Sequence, residues 1–404
     1  MLSRVCCSRS LLWLATVLML ISTGWFESIY AVFGNEVFSS DVKVATLLFT
    51  HMCLFSVFQL FSGTLIDCYG SKRLIPIAAF CVLVGMILQV HTYEHNFPIM
   101  VIISQIFLTF GSSFSFVGIG YLSYGFFEKS ISGIMFGFAQ MAYSISYAIF
   151  WLFSLCCELF LKQNFKFATW SMVFFQLAIL LIMIPVSDNI KVQERNNSST
   201  SFFDMILRIG EVAMERNAIT VSMMAGIEFS IFFVTSSMLL YKASNDVGGM
   251  LSFYAWIGFA AGAPLSCWMH ALLGIRGRYI LLLSGFVQGL CLIVIVLLIR
   301  VGLSTGGRDM LSYVNYIVAT VFGIVSGAHM VAFSVGRYLV KEKSITTYYA
   351  VVNGSMCVLS GVVVLALTAL AEFYSLLNLL LIMAVLALMS YFALGVTLRK
   401  DTSL

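Results

Sequence analysis

Charge is what this sequence has least of. Only 10% of its 404 residues are Asp, Glu, Lys or Arg, against about 25% in an ordinary soluble domain. Its 22 basic and 18 acidic side chains cannot wet the surface of a soluble globule this long. That excludes a soluble enzyme, a nucleic-acid binder and a disordered scaffold. Proline is scarce too, with four in the chain, and no low-complexity tract interrupts it, so a fibrous or linker-rich protein is excluded. No two of the ten cysteines have CxxC spacing. Most of them (Cys53, Cys81, Cys156, Cys157, Cys267, Cys291, Cys357) sit inside apolar runs and read as small buried hydrophobes. No metal-ligand spacing, Walker loop or catalytic triad appears. No enzyme activity, cofactor or metal is therefore expected.

What the chain has is apolar length. Hydrophobic residues make up 61% and the mean hydropathy is +1.00. Runs able to cross a bilayer recur over 11–33, 43–66, 74–91, 97–126, 131–160, 168–186, 217–241, 249–273, 279–301, 310–338, 345–371 and 375–398. Each must be helical, because the hydrocarbon offers no water to backbone polar groups. The expected fold class is an all-α membrane protein of twelve transmembrane helices in two six-helix bundles, 1–187 and 217–404. A polar linker, 188–216, carries Asn196-Asn197-Ser198-Ser199-Thr200-Ser201, and Phe202 to Arg216 reads as an amphipathic surface helix. Pro76, Pro98 and Pro185 fall near span ends, whereas Pro264 lies inside the eighth span and is expected to kink it. With both termini in the cytoplasm, sixteen of the 22 Lys and Arg residues face inward, as the positive-inside rule requires. Short loops and the lack of outward sequons point to a bacterial inner membrane.

The halves repeat. Glu128-Lys129-Ser130-Ile131-Ser132 follows the fourth span and Glu342-Lys343-Ser344-Ile345-Thr346 follows the tenth. Parallel half repeats around a midplane site are a transporter design.

Between the second and third spans lies Gly63-Thr64-Leu65-Ile66-Asp67-Cys68-Tyr69-Gly70-Ser71-Lys72-Arg73. Gly63 lets a neighbouring helix come close. Asp67, at a helix end, can meet the positive N-terminus of a helix from the other half. Gly70 permits the turn, and Lys72 and Arg73 anchor at headgroup level. This stretch resembles the loop signature of the major facilitator superfamily, GxLxDRxGRR. The resemblance implies a secondary transporter working by alternating access, with Gly63, Asp67, Gly70, Lys72 and Arg73 as its gating loop and spans 1, 4, 7 and 10 around the cavity. The chain departs from the pattern at Cys68, where the family usually has Arg. Gln105 stands where a membrane-embedded Arg is frequent, and the matching loop Ala271 to Arg278 has no acid. The Gly-Ser-rich fourth span, with Phe126-Phe127-Glu128 and Gly133-Ile134-Met135-Phe136-Gly137, is similar to the bacterial branch for small organic solutes, such as the amino-acid importers of intracellular bacteria.

Two acids, Glu27 and Glu228, lie inside corresponding spans of the two halves. A carboxylate in lipid is expensive unless it pairs, protonates or meets water. Both are therefore candidates for a substrate ammonium, a proton or both, along a shared aqueous route. His329 can titrate near neutrality, and Gln140, Tyr143, Asn353, Asn315 and Tyr316 can supply hydrogen bonds. Trp25, Tyr30 and Trp256 offer faces for stacking, while His51 and Gln59 read mainly as packing. The expected partners are a small-molecule substrate, protons and the lipid bilayer, without nucleic acid, and the expected state is a monomer. The expected activity is secondary active transport. Efflux, uniport or lipid handling are the alternatives.

Overall fold

The computed structural model describes the backbone of residues 2–38, 41–95, 98–128, 131–156, 158–188, 202–239, 247–305, 308–371 and 373–397. Side chains are described for fewer residues, chiefly 8–28, 49–91, 100–128, 131–150, 169–187, 203–237, 249–301, 313–336, 338–371 and 373–389.

Among these residues the chain is helical from end to end. The first half holds α1 (Leu2–Phe38), α2 (Asp41–Tyr69), α3 (Ser71–His95), α4 (Pro98–Phe126), α5 (Ser132–Cys156) and α6 (Glu158–Asp188). A 13-residue helix, α7 (Phe202–Met214), separates it from α8 (Arg216–Val234) and the π turn Thr235–Leu239. There follow α9 (Val247–Leu272), α10 (Gly277–Thr305) and α11 (Arg308–Ser326), which leads through the 3-10 turn Gly327–Met330 into α12 (Val331–Leu339). The 3-10 turn Glu342–Ser344, α13 (Ile345–Leu370) and α14 (Leu376–Thr397) complete the fold. Eleven segments are long and apolar enough to span a membrane, and α14 adds the shorter apolar stretch Leu376–Met389. With α11 and α12 forming one crossing, this is a twelve-helix, multi-pass integral membrane fold of two six-helix bundles.

The bundles meet along two seams. In one, α2 lies against α13, and in the other α5 lies against α9. Glycines set the spacing. A Cβ on Gly63 would fall 2.5 Å from Ala350 Cβ and 2.7 Å from Thr346 O, so α2 and α13 touch backbone to backbone there. On the other seam a Cβ on Gly137 would fall 2.8 Å from Pro264 Cα. Helix α9 runs on through Pro264, which faces this contact.

The linker helix α7 is two-faced. Met205 and Val212 are buried, whereas Phe203, Ile206, Leu207 and Met214 are exposed. It packs on α8 and on the ends of α2 and α13.

Candidate functional site

A cavity lies between the bundles, lined by residues of both. The first half supplies Leu20, Thr23 and Glu27 from α1, His51, Met52 and Phe55 from α2, Ser112 and Phe116 from α4, and Gln140 and Tyr143 from α5. The second half supplies Phe229 and Phe233 from α8 and Asn353, Met356 and Cys357 from α13. The first wall carries most of the polar groups and the second is largely apolar. A smaller recess behind Glu27 and His51 shares Thr23 and Ser112 and adds Phe26 and Leu108.

Glu27 is the centre of this cavity. Its Oε2 accepts hydrogen bonds from the hydroxyls of Tyr143 (2.7 Å) and Tyr147 (3.2 Å). Its Oε1 faces His51 Nε2 at 3.8 Å. The other ring nitrogen, Nδ1, donates to Gln105 Oε1 at 2.7 Å. The Gln105 amide nitrogen in turn reaches Gln89 Oε1 at 3.4 Å, an oxygen that also accepts from Ser104 (2.5 Å). Five helices thus orient one carboxylate and one imidazole, and among the described lining residues there is no lysine or arginine.

A plug of rings adjoins the cavity at Phe116. Phe116, Phe136, Phe333 and Tyr349, one each from α4, α5, α12 and α13, are all buried. Their centroids lie 4.8 Å apart for Phe116–Phe136, 5.0 Å for Phe136–Phe333 and 5.9 Å for Phe333–Tyr349. Beyond this plug is the end of the bundle that bears Asp67. Asp67 Oδ2 accepts from the Thr347 backbone N–H (2.9 Å) and from Thr347 Oγ1 (2.7 Å). Thr347 sits in the first turn of α13, so the carboxylate caps the positive end of a helix from the opposite half. Gly70 has φ 76°, a left-handed turn that favours glycine. Gly274 repeats it with φ 65° in the matching turn of the second half. Lys72 and Arg73 begin α3. A guanidinium does reach the loop, but from the linker: Arg208 Nη1 lies 3.5 Å from Cys68 Sγ.

Of the residues singled out from sequence, Glu27, Gln140, Tyr143 and Asn353 come together in the cavity. Others do not. Glu228, expected to share a route with Glu27, does not line the cavity that holds Glu27. Glu228 is wholly buried inside the second half. Its main-chain oxygen accepts from Gln288 Nε2 (2.9 Å), and neither carboxyl oxygen has a hydrogen-bond partner among the described residues. Its neighbours Phe229 and Phe233 take the cavity face of α8, so position 228 points into the bundle. The tenth span likewise supplies no lining residue. His329 sits in its 3-10 turn, stacked on Phe259 at 5.1 Å, with Nδ1 2.9 Å from Ser326 O. Trp25 packs edge-on against Phe150, and Tyr316 stacks on Tyr254. Trp256 stacks on Tyr147 at 4.3 Å and so buttresses the Glu27 cluster from the other half. Asn315 and Gln59 are buried outside the lining. Tyr30 lies in α1, but its side chain is outside the described residues.

Sequence reasoning undervalued His51 and missed Tyr147 and its place at Glu27. A polar residue on each of several spans was the available signal. It could not say which of them face one another.

The position of Glu228 carries a prediction. A buried carboxylate without a hydrogen-bond partner costs more than a neutral amide of equal size. Glu228→Gln should therefore melt at or above the parental temperature in detergent and retain transport. A folded variant with no transport would instead make Glu228 a coupling group.

The sequence profile described as Major Facilitator Superfamily matches residues 12–363. The chain belongs to the major facilitator superfamily. It is therefore a transporter rather than an enzyme. No curated protein sequence matches it. Among solved structures, the human organic anion transporter MFSD10 (TETRAN) is similar in fold, with TM-score 0.70, 12% identity and coverage of 97% of this chain and 99% of that one. The Escherichia coli fucose:proton symporter FucP is also similar, with TM-score 0.64, 14% identity and coverage of 97% and 98%.

Proposed function

We propose that this protein carries a small organic solute across a membrane by alternating access, with protons coupled through Glu27 and His51. The observation that supports this reading best is the carboxylate–imidazole pair inside a cavity walled by both bundles. A site shared by two rigid halves changes its access when they rock. A carboxylate facing an imidazole is a pair through which a proton can pass. In this reading the bundles are 1–187 and 217–404, and 188–216 ties them. The Asp67–Thr347 contact and the aromatic plug hold one end closed, and that end is cytoplasmic. The excess of inward Lys and Arg supports cytoplasmic termini, and the short loops support a bacterial inner membrane and the bacterial small-solute branch.

Purified protein in proteoliposomes tests it. A thermal-shift screen across amino acids, amines, sugars and carboxylates selects the solute, since a ligand stabilises by mass action. An imposed pH gradient should then drive accumulation, and a protonophore should abolish it. A proton-independent facilitator would equilibrate at the same rate with or without the protonophore. Failure of every solute to exchange would end the transport reading.

A further inference from the structure

We infer that the solute is an organic amine in its protonated form, held between Glu27 and His51 in exchange for the proton on His51. The inference rests on the transporter reading above and adds a substrate class and a stoichiometry to it.

The first argument is the hydrogen-bond direction. Gln105 turns its carbonyl oxygen to His51, with its amide nitrogen near Gln89 Oε1. His51 must then donate from Nδ1. With one proton on the ring, Nε2 is an acceptor, and it faces Glu27 Oε1 at 3.8 Å. Two acceptors at that spacing repel each other, yet both lie within hydrogen-bond reach of one nitrogen placed between them. A second ring proton makes Nε2 a donor and satisfies the carboxylate internally. The pair therefore accommodates either a proton on His51 or an external N–H cation.

The second argument is charge. Two phenol hydroxyls converge on Glu27 Oε2, so donors already hold that oxygen while Oε1 faces His51. Among the described residues, the groups facing the pair include Tyr143 and Tyr147 from α5, Gln105 from α4 and Cys357 from α13. None of them is a cation. An anionic solute would lie beside Glu27 with no lysine or arginine on the described lining to hold it. A simple alcohol has one proton to donate and would leave one member of the acceptor pair unsatisfied.

The third argument is the opposite wall. Phe229 and Phe233 are stacked at 5.8 Å, and Met356 stands with them. This surface suits an apolar or aromatic body and the cation–π attraction of an ammonium near it. The proton balance is simple. One proton leaves His51 for solvent as one ammonium binds, so the cavity keeps the same net charge in both states.

The test uses four probes with one body and different heads: 2-phenylethylamine, its N,N,N-trimethyl derivative, 3-phenylpropionate and 2-phenylethanol. Calorimetric titration of the full-length protein in detergent should show the amine bound best and the trimethyl cation more weakly, because it has no N–H to donate. The carboxylate and the alcohol should not bind measurably. Amine affinity should fall as the pH is lowered and His51 takes up its proton, approaching a roughly tenfold loss per pH unit at the acid end. Heats in buffers of different ionisation enthalpy should report one proton released. Glu27→Gln should weaken the amine at least about 30-fold, the lower end for breaking a buried charge pair. His51→Gln should keep binding and lose the pH dependence.

Equal binding of the carboxylate or the alcohol overturns the inference. So does amine binding that ignores pH or survives Glu27→Gln, and so does no amine binding at all. In proteoliposomes, counterflow of a sugar or carboxylate without counterflow of the amine would sink the amine assignment and leave the transporter reading standing. No counterflow of any solute would sink both.

Discussion

A valine at Gly262 is expected to lower the melting temperature of the protein by roughly 6–12 °C, the equivalent of about 3 kcal/mol in a unit of 150–250 residues. The reason is the crossing of α9 and α11. A Cβ on Gly258 would lie 2.1 Å from Thr320 O, and one on Gly262 would lie 2.0 Å from Ile324 O. From the other side, a Cβ on Gly323 would meet Ala255 O at 2.0 Å and one on Gly327 would meet Ala263 N at 2.5 Å. Gly258 and Gly262 on α9 therefore interlock with Gly323 on α11 and Gly327 at the start of the turn that follows it, and the atoms in the way are backbone. In lipid no hydrophobic force draws helices together, so close packing of this kind carries the association. A flexible neighbour could swing aside, but a carbonyl cannot. Valine must push the helices apart along their length. That would loosen the Phe232–Phe259 stack at 4.0 Å and the seat of His329. Overpacking ordinarily costs about 1–3 kcal/mol, and this site belongs at the top of that range. Tryptophan-fluorescence melting in detergent measures the effect. Gly210→Ala is the control, because a Cβ there meets nothing within 4 Å. Equal melting of Gly262→Val and the parent would refute the close crossing.

That crossing was not apparent from hydropathy, although the twelve spans were. A run of twenty apolar residues declares itself wherever it lies, because the bilayer alone sets the requirement. The turn Gly63 to Arg73 was legible for a similar reason. A glycine with positive φ, a helix-end acid and two headgroup cations are local demands written in neighbouring residues. Glu27 was legible as an isolated charge in a span, and Gln140, Tyr143 and Asn353 as polar groups in spans. Facing is a different property. Glu228 has the same sequence signal as Glu27, and only its packing against α10 turns it away from the cavity. His51 and Gln105 are 54 residues apart, and neither one alone suggests that their pairing orients the imidazole. The substitution of Cys68 for arginine looked like a missing charge until Arg208, 140 residues away, arrived from the linker helix. The 3-10 turn at His329 left no mark in composition, because the residues around it are as apolar as those of a regular helix.

Removing the carboxylate of Asp67 is expected to open the end of the bundle that the structure holds closed. Asp67 accepts both the backbone N–H and the hydroxyl of Thr347, and it is buried against the start of α13. Hydrogen bonds to a charged acceptor contribute about 1.5–3 kcal/mol each, and the helix terminus adds roughly 0.3–1 kcal/mol. These contacts join opposite halves, so they exist only while the halves are together at this end. Their loss acts on the conformational equilibrium rather than on the fold of either bundle. Allowing for water that replaces them when the end opens, Asp67→Ala should shift the balance by about 2–4 kcal/mol, or roughly 30- to 1,000-fold. Asp67→Asn keeps an acceptor without the charge and should fall between Ala and the parent. Thr347→Val loses only the hydroxyl and should shift least. Genetically encoded spin labels at Arg73 and Lys341 report the separation of the halves here. The parent should give one short distance, and Asp67→Ala should give mainly a longer one while its melting temperature stays close to the parent's. Transport should slow as well, because a cycle biased to one side returns slowly from it. An unchanged distance distribution in Asp67→Ala would show that the α2–α13 contact at Gly63 and the plug around Phe333 close this end without the carboxylate. A large drop in melting temperature would make Asp67 a structural cap instead of a latch. The graded series of Ala, Asn and the Thr347 variant separates charge from geometry, since packing alone predicts no such order.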